Sequence, residues 1–168
     1  MSQLTVTVIG PDRPGIIADV TGALAGVGVN LEDSTMTLLR GHFAMMLVCT
    51  GPADGVQEAL EPLSAELVIT VREVAPEQAH APVGAPYILS VHGADRPGIV
   101  SAITRVVAAV DGNVTDLSTR LSGTLYVLTA EVELPASANL GILRSALEAT
   151  ADELGVGVTL RPAESDDL

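Results

Sequence analysis

The 168-residue chain carries a formal net charge of −13, with no lysine and scattered arginines. That excludes the basic, counterion-releasing surface needed for direct nucleic-acid binding, and it repels an anionic membrane. Apolar residues make up 48% of the chain, yet Phe43, Tyr87 and Tyr126 are its only aromatics, so the cores must be aliphatic and stacking platforms for single strands are missing.

Leu4 to Ile9 alternates with period two, as a half-buried strand does. Gly10-Pro11-Asp12-Arg13-Pro14-Gly15-Ile16 follows as a tight turn, and Ile16, Ile17, Val20, Leu24 and Val27 then fall at helical spacing. Val29 to Leu39 reads as a second strand, Arg40-Gly41 as a turn and His42 to Thr50 as a third strand, apolar on both faces. Gly51-Pro52-Ala53-Asp54 opens a helix striped by Val56, Leu60 and Leu63, and Leu67 to Val74 is a fourth strand. The segment 75–85, rich in proline, is expected to be a semi-stiff linker.

The same order then returns. Tyr87 to His92 is a strand, and Gly93-Ala94-Asp95-Arg96-Pro97-Gly98-Ile99 repeats the turn. Ile99, Val100, Ile103, Val106, Val107 and Val110 stripe a helix, and Asn113 to Leu121 and Thr124 to Leu134 form a hairpin about Ser122-Gly123. Leu140 to Leu154 is a helix and Val156 to Leu160 a strand. The chain therefore divides into a first unit (1–74), the linker (75–85), a second unit (86–162) and an acidic tail (163–168). Each unit reads strand, helix, strand, strand, helix, strand, an α+β arrangement. Units this small bury only about 60–65% of their unfolded surface, so packing against another unit or another chain is expected. The doubly apolar third strands point the same way, because any sheet face left without helices over it would need another cover.

The halves also match at Thr21 and Thr104, Asn30 and Asn113, Asp33 and Asp116, and Leu38 and Leu121, with a one-residue gap aligning Gly41 with Gly123. These identities cluster on the turn and the early second strand, which suggests a shared site there. Pro14 and Pro97 suit the first turn of a helix, where a missing N–H costs nothing. Gly15 and Gly98 allow close approach of a ligand or a neighbouring backbone. The free N–H groups of the first turn, with Ile16 and Ile99 leading each helix, can receive a carboxylate. Asp12 and Asp95 can cap those groups or accept a bond from an ammonium, and Asn30 and Asn113 offer a donor and an acceptor each. A carboxylate receptor beside an ammonium receptor suits a free α-amino acid. The same residues also fit a plain capped helix start. Asp33 and Asp116 fit either the pocket or a solvated strand.

A strand, Gly-x-Asp-Arg-Pro-Gly-Ile, an apolar helix, Val-Asn at the next strand and a hairpin glycine before an apolar strand resemble an ACT domain. Two in tandem, over about 3–74 and 86–162, resemble the glycine cleavage system transcriptional repressor family. The resemblance implies two ferredoxin-like βαββαβ units, each an antiparallel four-stranded sheet with two helices on one face. It also implies side-by-side pairing, an amino acid bound at the seam and ligand contacts from Asp12 with Asn30 and from Asp95 with Asn113, in turns that include Arg13 and Arg96. Where the regulatory domain of phosphoglycerate dehydrogenase has a ligand-contacting histidine, this chain has Gly10 and Gly93, which weighs against serine-type recognition.

Cys49 sits in an apolar run and is expected to be a buried, inert thiol. His42, His80 and His92 have no metal-site spacing, and neither metal nor cofactor is expected. No nucleophile elbow or phosphate loop is present. The opening Met-Ser-Gln-Leu-Thr-Val has no signal-peptide regions and no apolar run reaches ~18 residues, so a cytoplasmic protein is expected. The expected function is amino-acid sensing relayed to a transcription-factor or enzyme partner, in a homodimer, without catalysis. The alternatives are an oligomerising module with no working ligand site and, least favoured because two units leave no room for a catalytic domain, an enzyme akin to formyltetrahydrofolate deformylase.

Overall fold

Alternation in the first strand and the three-to-four spacing behind it produce what they predict. A computed structural model describes residues 1–75 and 84–164. The chain divides into two units, Met1–Gln78 and Ala79–Leu168.

In the first unit β1 (Ser2–Pro11) leads through the turn to α1 (Ile16–Gly26). Next come β2 (Leu31–Leu39), β3 (His42–Gly51), α2 (Ala53–Leu60), a 3₁₀ turn (Glu61–Ala65) and β4 (Val68–Val74). The sheet order is β2-β3-β1-β4, every pair antiparallel. Leu4, Val6 and Val8 of β1 pack with Ile16, Val20 and Leu24 of α1, Phe43, Met45, Leu47 and Cys49 of β3, and Val56 and Leu60 of α2. The partners in sequence alternation, Ala44, Met46 and Val48, lie on the other face of β3, where Met46 is 47% exposed. Ile9 and Val68, paired across β1 and β4 on that face, are also exposed.

The second unit repeats the plan with β5 (Gly84–Ala94), α3 (Ile99–Ala108), β6 (Asn113–Ser122), β7 (Leu125–Pro135), α4 (Leu140–Leu154) and β8 (Val156–Pro162). Its order is β6-β7-β5-β8, again antiparallel. Its core joins Leu89 and Val91 to Ile99, Ile103, Val107, Leu128, Val132, Leu143 and Leu147. Both units are thus α+β ferredoxin-like folds.

Several boundaries move. β2 begins at Leu31 rather than Val29, because Gly28 takes φ +75° and Val29 plugs the core before the strand starts. β5 begins at Gly84, so Ala85 and Pro86 are paired strand residues, opposite Leu134 and Glu133. Residues 76–83 of the expected linker, with His80, lie outside the described residues, as do residues 165–168 of the tail. Ala163 still donates to the Pro86 carbonyl at 3.0 Å. The gap between the hairpins is absent. Leu39 pairs with His42 and Ser122 with Leu125, so both loops hold two residues. Arg40 (φ 50°) and Gly41 (φ 83°) make the first loop, whereas Gly123 (φ 61°) takes the first position of the second.

Candidate functional site

The β1–α1 turn is tied to the hairpin by its backbone: Asp12 N–H donates to the Gly41 carbonyl at 3.0 Å. Gly15 then takes φ +89° and ψ −1° as the residue before the helix, and Gly98 takes φ +93° and ψ −1° in the second unit. A side chain resists that conformation, which accounts for a glycine in both copies. Space is not the reason. A Cβ on Gly98 would meet nothing within 4 Å, and one on Gly15 only Arg13 Nη1 at 3.7 Å.

This geometry corrects two expectations. Pro14 and Pro97 are not inside the helix; they precede the glycine that precedes it. No side chain caps α1 or α3, so Asp12 and Asp95 are not N-caps. Asp19 N–H bonds the Gly15 carbonyl at 2.9 Å, and Ala102 N–H bonds that of Gly98 at 2.9 Å. The N–H groups of Ile16, Ile17 and Ala18 are left at the open end of α1.

Those residues line a groove of about 470 Å³ with Asp12, Arg13, Gly15, Met36 and Phe43. Phe43 is 2% exposed and forms its buried floor, while Ile17 and Met36 are each 43% exposed. Among the described residues no side chain donates a hydrogen bond to the Asp12 carboxylate. A carboxylate with no side-chain donor among the described residues and the first-turn amides therefore share one apolar-walled groove.

Arg13 is held. Its Nε donates to Glu66 at 2.7 Å, its Nη2 to Asp19 at 2.9 Å and its Nη1 to the Pro14 carbonyl at 3.2 Å. The hydrogen bond to Glu66, followed by that to Asp19, raises the guanidinium pKa above its ordinary value. In the second unit Ala102 stands where Asp19 does, and Gly155 precedes Val156 as Glu66 precedes Leu67. Among the described residues Arg96 has no ion-pair partner.

Gly10 and Gly93 are closely overlaid by the residues that lead into the last strand of each unit. A Cβ on Gly10 would meet Leu67 Cδ2 at 2.7 Å, and one on Gly93 would meet Val156 Cγ1 at 2.8 Å and Cα at 3.1 Å. Leu67 stands just before β4 and Val156 opens β8, so a histidine at either glycine requires these neighbours to shift.

Asn30 and Asn113 do not join the turn of their own unit. Pro11 and Leu39 both pair with His42 at the turn end of the sheet, whereas Leu31 pairs with Cys49 and Ser2 with Gly51 at the far end. Eight strand steps, from Leu31 to Leu39, separate the ends by about 26 Å. Asn113 pairs with Glu133, while Gly93 pairs with Tyr126 at the opposite end. Asp33 and Asp116 are exposed and stand just after a register shift in each unit, between Leu31 and Asp33 and between Val114 and Asp116. The Thr21–Thr104 identity has a local cause. Each hydroxyl donates to the carbonyl four residues back, Ile17 at 2.7 Å and Val100 at 2.8 Å.

Sequence reasoning did not find Met36 and Phe43 as groove residues or Asp19 and Glu66 as partners of Arg13. The sequence marks Met36 and Phe43 only as strand residues; pairing across the predicted hairpin brings both beside the turn. Nothing in the sequence links Glu66 to Arg13, 53 positions apart. Among the described residues no three His, Cys, Asp or Glu side chains gather to hold a metal, and no helix is long and apolar enough to cross a membrane.

Comparison with known proteins bears on this geometry. The family profile for the ACT domain matches residues 2–73 and 86–161. The glycine cleavage system transcriptional repressor of Escherichia coli (strain K12) is 27% identical over 161 residues, 90% of this chain and 85% of that protein. A UPF0237 protein of Methanopyrus kandleri is 40% identical over 83 residues, 44% of this chain and 92% of the relative. Among solved structures, an unknown protein from Galdieria sulphuraria superposes with a TM-score of 0.83 at 30% identity, covering 97% of this chain and 99% of its own. A candidate glycine cleavage system transcriptional repressor superposes with a TM-score of 0.74 at 21% identity, covering 98% of each chain, a likeness of fold.

Proposed function

The chain belongs to the ACT domain family, carrying two copies of the domain, and from that membership and the groove at its first turn we propose that it is a regulatory protein that binds a small amino acid. The carrying observation is that the Asp12 carboxylate, which has no side-chain donor among the described residues, lines the same groove as the first-turn amides of Ile16, Ile17 and Ala18. The ligand's α-carboxylate takes the amides, where the helix dipole adds about 0.3–2 kcal/mol. Its ammonium takes Asp12. A Kd between mM and μM needs about 4–8 kcal/mol, so these contacts act together. Asp95, Pro97, Gly98 and Ile99 offer the same backbone in the second unit. Asn30 lies too far along its own unit to reach that ligand, so an asparagine contact requires another copy of the unit.

The role is binding rather than catalysis, and the signal passes by protein contact. A net charge of −13 disfavours DNA as the direct target, so the partner is a protein such as a transcription factor or an enzyme, in the cytoplasm. Similarity to a transcriptional repressor supports a place in the control of amino-acid metabolism. Coupling requires that the ligand bind two arrangements of the protein with different affinity.

Thermal-shift screening of the full chain against the twenty amino acids tests this. A ligand at a hundredfold excess over its Kd stabilises by about 2.7 kcal/mol, a clear rise in Tm. The expected rise is specific to certain amino acids and is lost in Asp12→Ala. A folded protein that responds to none of the twenty contradicts the proposal.

A second reading, an oligomerising module without a working ligand site, draws on the exposed Met36, Leu38 and Leu39 of the edge strand β2. Light scattering behind gel filtration separates the two. A ligand-independent dimer that ignores all amino acids favours the module.

A further inference from the structure

Resting on the amino-acid-binding reading above, we propose that the first unit's groove selects an amino acid with an apolar side chain, of the leucine, isoleucine, valine or methionine class. Ile17 and Met36 stand half-exposed at the groove, and Phe43 closes its floor. Glycine or serine in a groove of about 470 Å³ would leave these surfaces wet, whereas a leucine side chain removes them from water. Arg13, the cation that lines the groove, is already engaged by Glu66 at 2.7 Å and Asp19 at 2.9 Å, which leaves its fork closed to an acidic side chain.

The second unit supplies an internal contrast. Val100, Thr119 and Tyr126 take the positions of Ile17, Met36 and Phe43, given that Gly10 pairs with Phe43 as Gly93 pairs with Tyr126. Val100 and Thr119 make that turn shorter-walled, Thr119 and Tyr126 add hydroxyls, and Arg96 has no ion pair among the described residues. Apolar selectivity therefore belongs to the first turn.

Isothermal titration of the full chain with leucine, isoleucine, valine, methionine, glycine, serine and aspartate tests the proposal. A single methylene in an apolar pocket discriminates by about 10–200-fold, so leucine should bind at least about tenfold more tightly than glycine. Met36→Thr, which installs the residue found in the second unit, should weaken leucine binding about fivefold or more and leave the oligomeric mass unchanged. Ile17→Thr is a second variant on a different element, and both side chains lie outside the buried core. If no amino acid binds, the reading on which the proposal rests fails. If amino acids bind but glycine or serine binds as tightly as leucine, that reading survives and the apolar selectivity is overturned. Leucine preference that is unchanged in both variants, or lost only together with a change of mass, also overturns it.

Discussion

Two identical pentapeptides, Asp12 to Ile16 and Asp95 to Ile99, fold into the same backbone and meet different surroundings. Both glycines sit near φ +90° with ψ −1°, and both helices start at the following isoleucine without a side-chain cap. The first arginine is held by two carboxylates and the second by none among the described residues. Local sequence dictates the turn. Residues six and 53 positions from Arg13 dictate what its arginine can do.

The largest expected contrast concerns the paired sheet position. Phe43 is 2% exposed whereas Tyr126 is only partly buried. Phe43→Ala should cost about 3–5 kcal/mol in urea unfolding, and Tyr126→Ala clearly less. Equal losses would break the distinction between the two floors. Gly15→Ala and Gly98→Ala should sharpen the likeness instead. Each forces a side chain to positive φ with no steric clash, costing about 1–2 kcal/mol, so the two losses should match.

Cys49 provides a smaller, pH-dependent contrast, because Val132 occupies its place in the second unit. Burial, with a lesser contribution from Glu32, raises the Cys49 pKa above its ordinary value. The folded state thus favours the neutral thiol. Its contribution is fully present below the unfolded thiol's pKa, about 8.5, and is lost as pH rises through the folded value. Alkaline titration of stability should show a loss that Cys49→Val removes. Smallest is the arginine comparison. Arg13→Ala should lower the urea midpoint slightly and Arg96→Ala should not, with added salt shrinking the difference. Because the Arg13 pKa is raised, its contribution is complete below the unfolded value and disappears only in strong base, so the difference should stay flat from neutrality to about pH 10.

Much of the fold was legible. Period-two alternation in Leu4 to Ile9 and the Ile16, Val20, Leu24 stripe mark sheet and helix because each buries one face. The repeated turn marks two units. Asn30 lies at the far end of its own unit from the turn for a physical reason: a helix that packs on its sheet runs back along it. The residue after α1 therefore emerges at the opposite end from the turn, although the two are close in sequence. The role of Gly15 was only partly legible, since composition shows that a side chain is missing but not that φ demands it. The partners of Arg13 were not legible, because Glu66 reaches it only through the β1–β4 pairing.

Amide chemical-shift mapping on the full chain, titrated with leucine, reports whether the first turn holds the ligand. Saturable shifts are expected at Ile16, Ile17 and Ala18, absent in Asp12→Ala, with Val100 and Ser101 left nearly unmoved. Shifts confined to Val100 and Ser101, or to the unrelated groove between α4 and β8 around Arg144 and Leu160, would contradict it.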